Sequence, residues 1–153
     1  MYTVPIPINR ELTAVEIKLD DPGYLETRTI QIKGSYRFNL FKDNIFKGQI
    51  FVPKYPTTAK KMQKLQFIRD VGNEAVMSYV YTTGTDADGH ENYEHYNFGK
   101  MICKPLLSKM VILVYEQQDN SGWSSKFGYC IVTSAKNREE ALNILKKYDI
   151  SPY

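Results

Sequence analysis

Histidine, tryptophan and cysteine are scarce in this chain, which has two His, one Trp and two Cys among 153 residues. Two cysteines, Cys103 and Cys130, neither make a metal site by themselves nor build a disulfide scaffold. Long apolar runs are missing as well. The longest, residues 110–115, falls far short of the roughly 20 residues of a membrane-spanning helix, so no transmembrane segment is expected. Charge of one sign is not in large excess either. A formal net charge of +3 lies well below that of a dedicated nucleic-acid binder, and no specific nucleic acid is expected as a partner. Behind Met1, Thr3-Val4-Pro5-Ile6-Pro7-Ile8 has neither the basic start nor the apolar length of a signal peptide. What the chain does have is tyrosine, 12 of them beside 7 Phe, in a composition 42% hydrophobic and 24% charged. That is the make-up of one globular domain.

Period-2 alternation is the strongest local signal. Ile30, Ile32, Tyr36, Phe38 and Leu40 alternate with Thr29, Gln31, Lys33, Ser35, Arg37 and Asn39, which sets one face on a core and the other in water. Gly34 falls on the apolar face, where a missing side chain predicts a bulge or a sharp bend. Val15, Ile17 and Leu19 alternate in the same way with Glu16, Lys18 and Asp20, and Asp20-Asp21-Pro22-Gly23 reads as the turn between the two strands. Further strands are predicted over 46–52, 65–70, 75–82, 93–103, 107–116 and 127–133. Turns at Gly72-Asn73 and at Asp119-Asn120-Ser121-Gly122 and a polar loop over 84–92 separate some of them.

The period then changes. Ala141, Ile144, Leu145 and Tyr148 form a helical stripe, Asn137 with Glu140 fits a capping box, Lys146 and Lys147 suit the last turn, and Pro152 ends it. The fold class is therefore mainly β, an antiparallel β-barrel or sandwich of about eight strands with one C-terminal α-helix. Residues 1–14 read as a lead-in segment and 15–153 as a single β-rich domain.

Each candidate for chemistry meets a plainer explanation. His90 and His95 enclose Glu91 and Glu94, but zincin histidines are four apart on a helix, and on a strand a spacing of five puts rings on opposite faces. Asp86 and Asp88 before Gly89 resemble part of a calcium loop, yet Gly84 and His95 then occupy positions that need acids. A hairpin loop explains these residues, and no metal or other cofactor is expected. Lys54, Lys60, Lys61 and Lys64 beside Tyr55 form the opposite charge. Basic residues with an aromatic can grip a polyanion, although most such runs only solvate a loop. The two charged loops together are the candidate interaction surface, with a separation of charge that can also drive self-association.

No nucleophile has a recognisable setting, since Gly-x-Ser-x-Gly and phosphate loops are absent and neither cysteine has an adjacent histidine. No catalytic residue is assigned, and the chain is not read as an enzyme. Cys103 and Cys130 fall on predicted strands with the 107–116 strand between them, which favours buried thiols. The strand aromatics Tyr36, Phe38, Tyr79, Tyr81, Tyr96 and Tyr129 offer the lining of a barrel cavity, or simply an aromatic core.

Ile32-x-Gly34-x-Tyr36, Leu40-Phe41, Phe46-x-Gly48-x-Ile50, Trp123 and Asn137-Arg138-Glu139-Glu140-Ala141 resemble a group of small uncharacterised β-rich proteins of Gram-positive bacteria. The resemblance implies no activity. It implies an N-terminal membrane anchor ahead of the β domain, which would place the domain outside the membrane and favour a Cys103–Cys130 disulfide; with Met1 as native start, the expected location is the cytoplasm. The leading expectation is a non-catalytic binding or interaction module at the cell envelope, with a protein or anionic polymer as partner. The second is a small-ligand carrier with an aromatic-lined barrel.

Overall fold

A computed structural model describes residues 5–39, 43–68, 74–103, 109–115 and 128–148. The strands are β1 (Ile6–Lys18), β2 (Asp21–Arg37), β3 (Asn44–Phe51), β4 (Lys61–Met62), β5 (Leu65–Phe67), β6 (Glu74–Thr85), β7 (Glu91–Cys103), β8 (Met110–Val114) and β9 (Tyr129–Thr133), followed by helix α1 (Arg138–Lys146). All nine strands join one antiparallel sheet in the order β4-β6-β7-β8-β9-β1-β2-β3-β5. The mainly β class with a C-terminal helix is thus the observed one. Among the described residues no helix is long and apolar enough to cross a membrane. Leu40, Phe41, the Gly72-Asn73 turn, the Asp119–Gly122 turn, Trp123 and Pro152 lie outside the described residues.

The sheet curls until its two ends meet without completing a ladder. One isolated bridge, Ile68 to Glu74, joins the β5 side to β6. Inside the curl the Tyr79 hydroxyl donates to the Ile50 carbonyl at 2.6 Å, which ties β6 to β3. The Gln49 side chain spans the remaining gap. Its Nε2 donates to the carbonyls of Thr58 at 2.7 Å and Lys60 at 2.5 Å, and its Oε1 accepts from Met62 N at 3.1 Å. One amide side chain therefore replaces the missing rungs between β3 and β4, satisfying backbone groups that a seam would leave bare.

Each face of the sheet has its own core. The concave face buries Ile30, Ile32, Tyr36, Phe46, Ile50, Phe67, Met77, Tyr79 and Phe98. The other face buries Val15, Ile17, Val111, Leu113 and Val132 beneath Ala141 and Leu145 of α1. Such double coverage explains why 110–114 is apolar throughout. The predicted helical stripe faces this second core, with Leu142, Ile144 and Tyr148 packed at its margin. Asn137 caps the helix by accepting from Glu140 N at 2.9 Å, and the Glu140 carboxylate reaches back to Lys136 N at 2.8 Å. Arg138 then grips the β1–β2 turn, donating to the carbonyls of Lys18 at 2.7 Å, Leu19 at 2.9 Å and Asp21 at 3.1 Å.

Several expectations need correction. β1 starts at Ile6, not Val15, because β2 pairs with it without interruption from Ile6↔Tyr36 to Ile17↔Leu25. The turn falls at Leu19 and Asp20, leaving Asp21, Pro22 and Gly23 in β2. Phe38 lies beyond the end of β2 and is 40% exposed, so it is not a core residue. Glu16, expected in water, is fully buried. Cys103 and Cys130 are both buried thiols on opposite faces of the sheet with β8 between them, so the disulfide implied by the resemblance does not form.

Gly34 stands opposite Gly48 in the β2–β3 ladder. A Cβ on Gly34 would lie 2.3 Å from the Lys47 carbonyl oxygen and 2.7 Å from Gly48 Cα. The bend expected at Gly34 is therefore a close crossing of two backbones, and both partners must be glycine for it.

Candidate functional site

The outer half of the β6–β7 hairpin leaves the body of the sheet. β4 pairs with β6 only at Tyr79 and Val80, and β8 pairs with β7 only from Gly99 to Cys103. Beyond those points no third strand pairs with either of them among the described residues, although the Phe98 carbonyl still accepts from Tyr115 N at 3.0 Å. Every residue over 82–95 is exposed, on both faces. A two-stranded ribbon with no core beneath it is marginal on its own, and its open edges are templates for pairing. The predicted 84–92 loop is present but shorter by two residues at each end. Strand pairing continues to Thr85↔Glu91, and only residues 86–90 form the turn.

The acidic residues build that tip. Asp86 Oδ1 accepts from Asp88 N at 3.0 Å and His90 N at 2.9 Å, and Gly89 takes a positive φ of 84°. This is an Asx turn in which each residue has a conformational reason. Asp86, Asp88 and His90 place potential ligand atoms within 4.8 Å of one another, all exposed. His95 is elsewhere, on β7, with its Nδ1 3.3 Å from Gln63 Nε2. Glu91 accepts from the Tyr93 hydroxyl at 2.7 Å, and Glu94 is exposed further down the arm. The two histidines do not converge.

At the base of the arm lies an open groove of about 860 Å³ along the seam, lined by Lys47, Gln49, Lys61, Lys64, Val80 and Tyr93 among others. Among the described residues Lys47, Lys61 and Lys64 form no ion pair. Tyr93, 58% exposed, supplies an aromatic wall. Of the predicted basic set, Lys61 and Lys64 line the groove, while Lys54 and Lys60 are exposed and do not line it. Lys47 was missed, since on β3 it reads as one polar residue of an alternating strand. Only the seam brings it opposite β4.

Tyr55 does not join the lysines as a stacking platform. It turns inward, packing edge-to-face on Phe98 at 5.0 Å and donating its hydroxyl to Glu16. The Thr58 hydroxyl holds the same segment by accepting from Val52 N at 2.9 Å and donating to the Tyr55 carbonyl at 2.7 Å. The basic loop is therefore anchored at two points.

Its anchor, Glu16, is the most concentrated buried polar cluster. The carboxylate accepts from the Tyr24 hydroxyl at 2.5 Å, from Tyr55 and from Arg28 Nη2 at 3.0 Å. Burial, then the Glu16 carboxylate, pushes the Tyr24 phenol up to about 12. The same two causes raise Tyr55 further. Burial works against the Arg28 charge, and the Glu16 carboxylate outweighs it, so Arg28 is held more firmly protonated. Arg28 Nε is buried without a hydrogen-bond partner among the described residues. With the Tyr24, Tyr55 and Arg28 protons all held more firmly and their hydrogen bonds converging on one carboxylate, the cluster suits a lock on three chain segments. The alternation of Leu12, Ala14 and Glu16 was the available signal that Glu16 shares an apolar face.

These shifts fix a pH dependence. Burial also lifts the Cys103 thiol to about 12 and raises Tyr79. Each folded-state pKa exceeds its unfolded value of 9.0 or 10.0, so the folded chain holds these protons more tightly. Their contribution is complete below pH ~9 and is lost as pH climbs toward 12. Urea unfolding midpoints should fall between pH 9 and 11 at constant ionic strength, and a flat profile there would contradict the buried placement.

The other proposed cavity tyrosines divide. Tyr36 and Tyr79 are core side chains, and Tyr96 and Tyr129 pack against that core. Tyr81 lies in β6, its side chain outside what is described. Comparison of the chain with protein-family models, curated proteins and solved structures finds no match.

Proposed function

We propose that this protein is a non-catalytic binding module that takes an acidic polypeptide segment or other polyanion in the lysine-lined groove at the base of its β6–β7 arm. The observation that carries this reading is the junction of two features. Residues 82–95 form a ribbon exposed on both faces. Beside it, Lys47, Lys61 and Lys64 line one open groove. Folding alone gives no reason for a projecting ribbon, because it buries little apolar surface to offset the entropy of ordering it. Lysine ammonium groups with no ion-pair partner among the described residues attract an anion at modest desolvation cost, and an exposed tyrosine adds contact area.

Poly-glutamate is the simplest probe. Fluorescence anisotropy should report binding that weakens as salt shortens the Debye length. Lys47→Ala, Lys61→Ala and Lys64→Ala combined remove three contacts worth ~0.5–1 kcal/mol each, so affinity should fall roughly ten- to a hundredfold. Lys109→Ala, Lys136→Ala and Lys146→Ala combined change net charge equally, away from the groove, and should leave binding within about twofold. Equal losses in both triple variants would reduce the effect to net charge and defeat the groove.

A further inference from the structure

We infer that the acidic segment suited to this groove is the arm tip of a second copy of the same chain, so that two copies pair reciprocally through their arms. The inference rests on the reading of the groove as a binding surface and names its occupant. The chain carries both halves of the contact, an acidic tip at one end of the arm and a basic groove beside its other end. Asp86, Asp88 and Glu91 stand at or beside the tip of the arm, all exposed. Lys47, Lys61 and Lys64 line the groove at its base, together with Val80 and Tyr93 of the arm itself. Within one copy the arm holds tip and base apart, because β6 and β7 stay paired up to Thr85↔Glu91. Two arms laid antiparallel about a two-fold axis remove that separation. Each acidic tip then meets the other copy's basic base, and the spacing matches automatically because both are measured along the same hairpin.

Parallel arms would instead set tip against tip and lysine against lysine, so the charge pattern selects the antiparallel arrangement. The arm also has what such a pairing needs besides charge. No strand pairs with the outer edge of β6 beyond Val80 or of β7 before Phe98 among the described residues. Tyr93 presents a half-exposed ring at the groove, 58% accessible. An isolated two-stranded ribbon gains most from a partner of its own kind, which turns two marginal hairpins into one wider layer.

Charge exchange between variants tests this. Sedimentation velocity at about 100 μM protein, where small interfaces populate, should show a species of twice the chain's mass at low salt and the single chain at high salt. Lys61→Glu with Lys64→Glu makes groove and tip both acidic, and Asp86→Lys with Asp88→Lys makes both basic. Each variant alone should sediment as a single chain, with circular dichroism confirming the fold. Mixed in equal amounts, they should restore the double-mass species, since each tip then meets a groove of opposite sign. A wild-type chain that stays single at low salt overturns the pairing, as does a mixture that fails to reassociate. Poly-glutamate binding separates the two readings. If wild type binds it without forming pairs, the groove stands and the pairing falls. If wild type neither pairs nor binds it, both fall.

Discussion

Glu16→Ala should destabilise the protein by about 3–5 kcal/mol, the cost of leaving a buried charge without its partner. Glu16 is fully buried and is the only carboxylate among the described residues that meets Arg28, Tyr24 and Tyr55 together. Its removal leaves the guanidinium with only the exposed Glu26 carboxylate, at 4.0 Å, and leaves two hydroxyls seeking an acceptor. Glu16→Gln keeps an acceptor oxygen and the volume, so its loss should be smaller, and it serves if the alanine variant does not fold. Chemical denaturation of both variants measures the effect. Arg28→Met in the Glu16→Ala background should recover part of the loss, since an apolar pair costs less than an orphaned cation. A change under about 1 kcal/mol for Glu16→Ala would mean that water reaches the cluster.

The second large effect belongs to the glycine crossing. Gly48→Ala places a Cβ 2.3 Å from the Lys33 carbonyl oxygen, at a φ of 156° that side chains rarely adopt. Gly34→Ala meets the Lys47 carbonyl oxygen at the same 2.3 Å. The obstacle at both is backbone, which cannot swing aside. Each substitution should cost about 3 kcal/mol or more through overpacking, with strain added at Gly48. Gly23→Ala is the internal comparison. Its Cβ would meet only Asp21 Oδ1, at an ordinary 3.4 Å, so its effect should stay within about 0.5 kcal/mol. Comparable losses at all three glycines would refute the crossing.

These two sites also mark where sequence reading works and where it stops. Period-2 alternation identified the buried face of β2 because Ile30, Ile32 and Tyr36 each lie on a sheet with one wet side. It failed at Glu16, since beyond Ala14 both faces of β1 are covered, one by the curl and one by α1. Polarity then no longer signals exposure. Gly34 announced a bend, but its partner Gly48 follows from a register that depends on the β2–β3 turn. β4 escaped notice because two residues, Lys61 and Met62, carry no period at all.

The candidate site was legible in its charges and illegible in its shape. Lys61, Lys64, Asp86, Asp88 and Glu91 stand out in the sequence as two charged stretches. That one becomes a groove and the other an arm depends on strand lengths elsewhere. β8 pairs with β7 only from Gly99 to Cys103 and β4 with β6 only at Tyr79 and Val80, which leaves the distal hairpin without a third strand among the described residues. Tyr55, read with the lysines, is drawn inward by a buried carboxylate 39 residues earlier in the chain, a contact that no local pattern shows.

Backbone amide shifts of the 15N-labelled chain, followed through a titration with poly-glutamate, test the proposed binding surface most directly. The expected result is a saturable set of shifts centred on Lys47, Gln49, Lys61, Lys64, Val80 and Tyr93, fading as salt rises. Shifts centred on α1, or spread evenly over all exposed lysines, would contradict a groove-directed module.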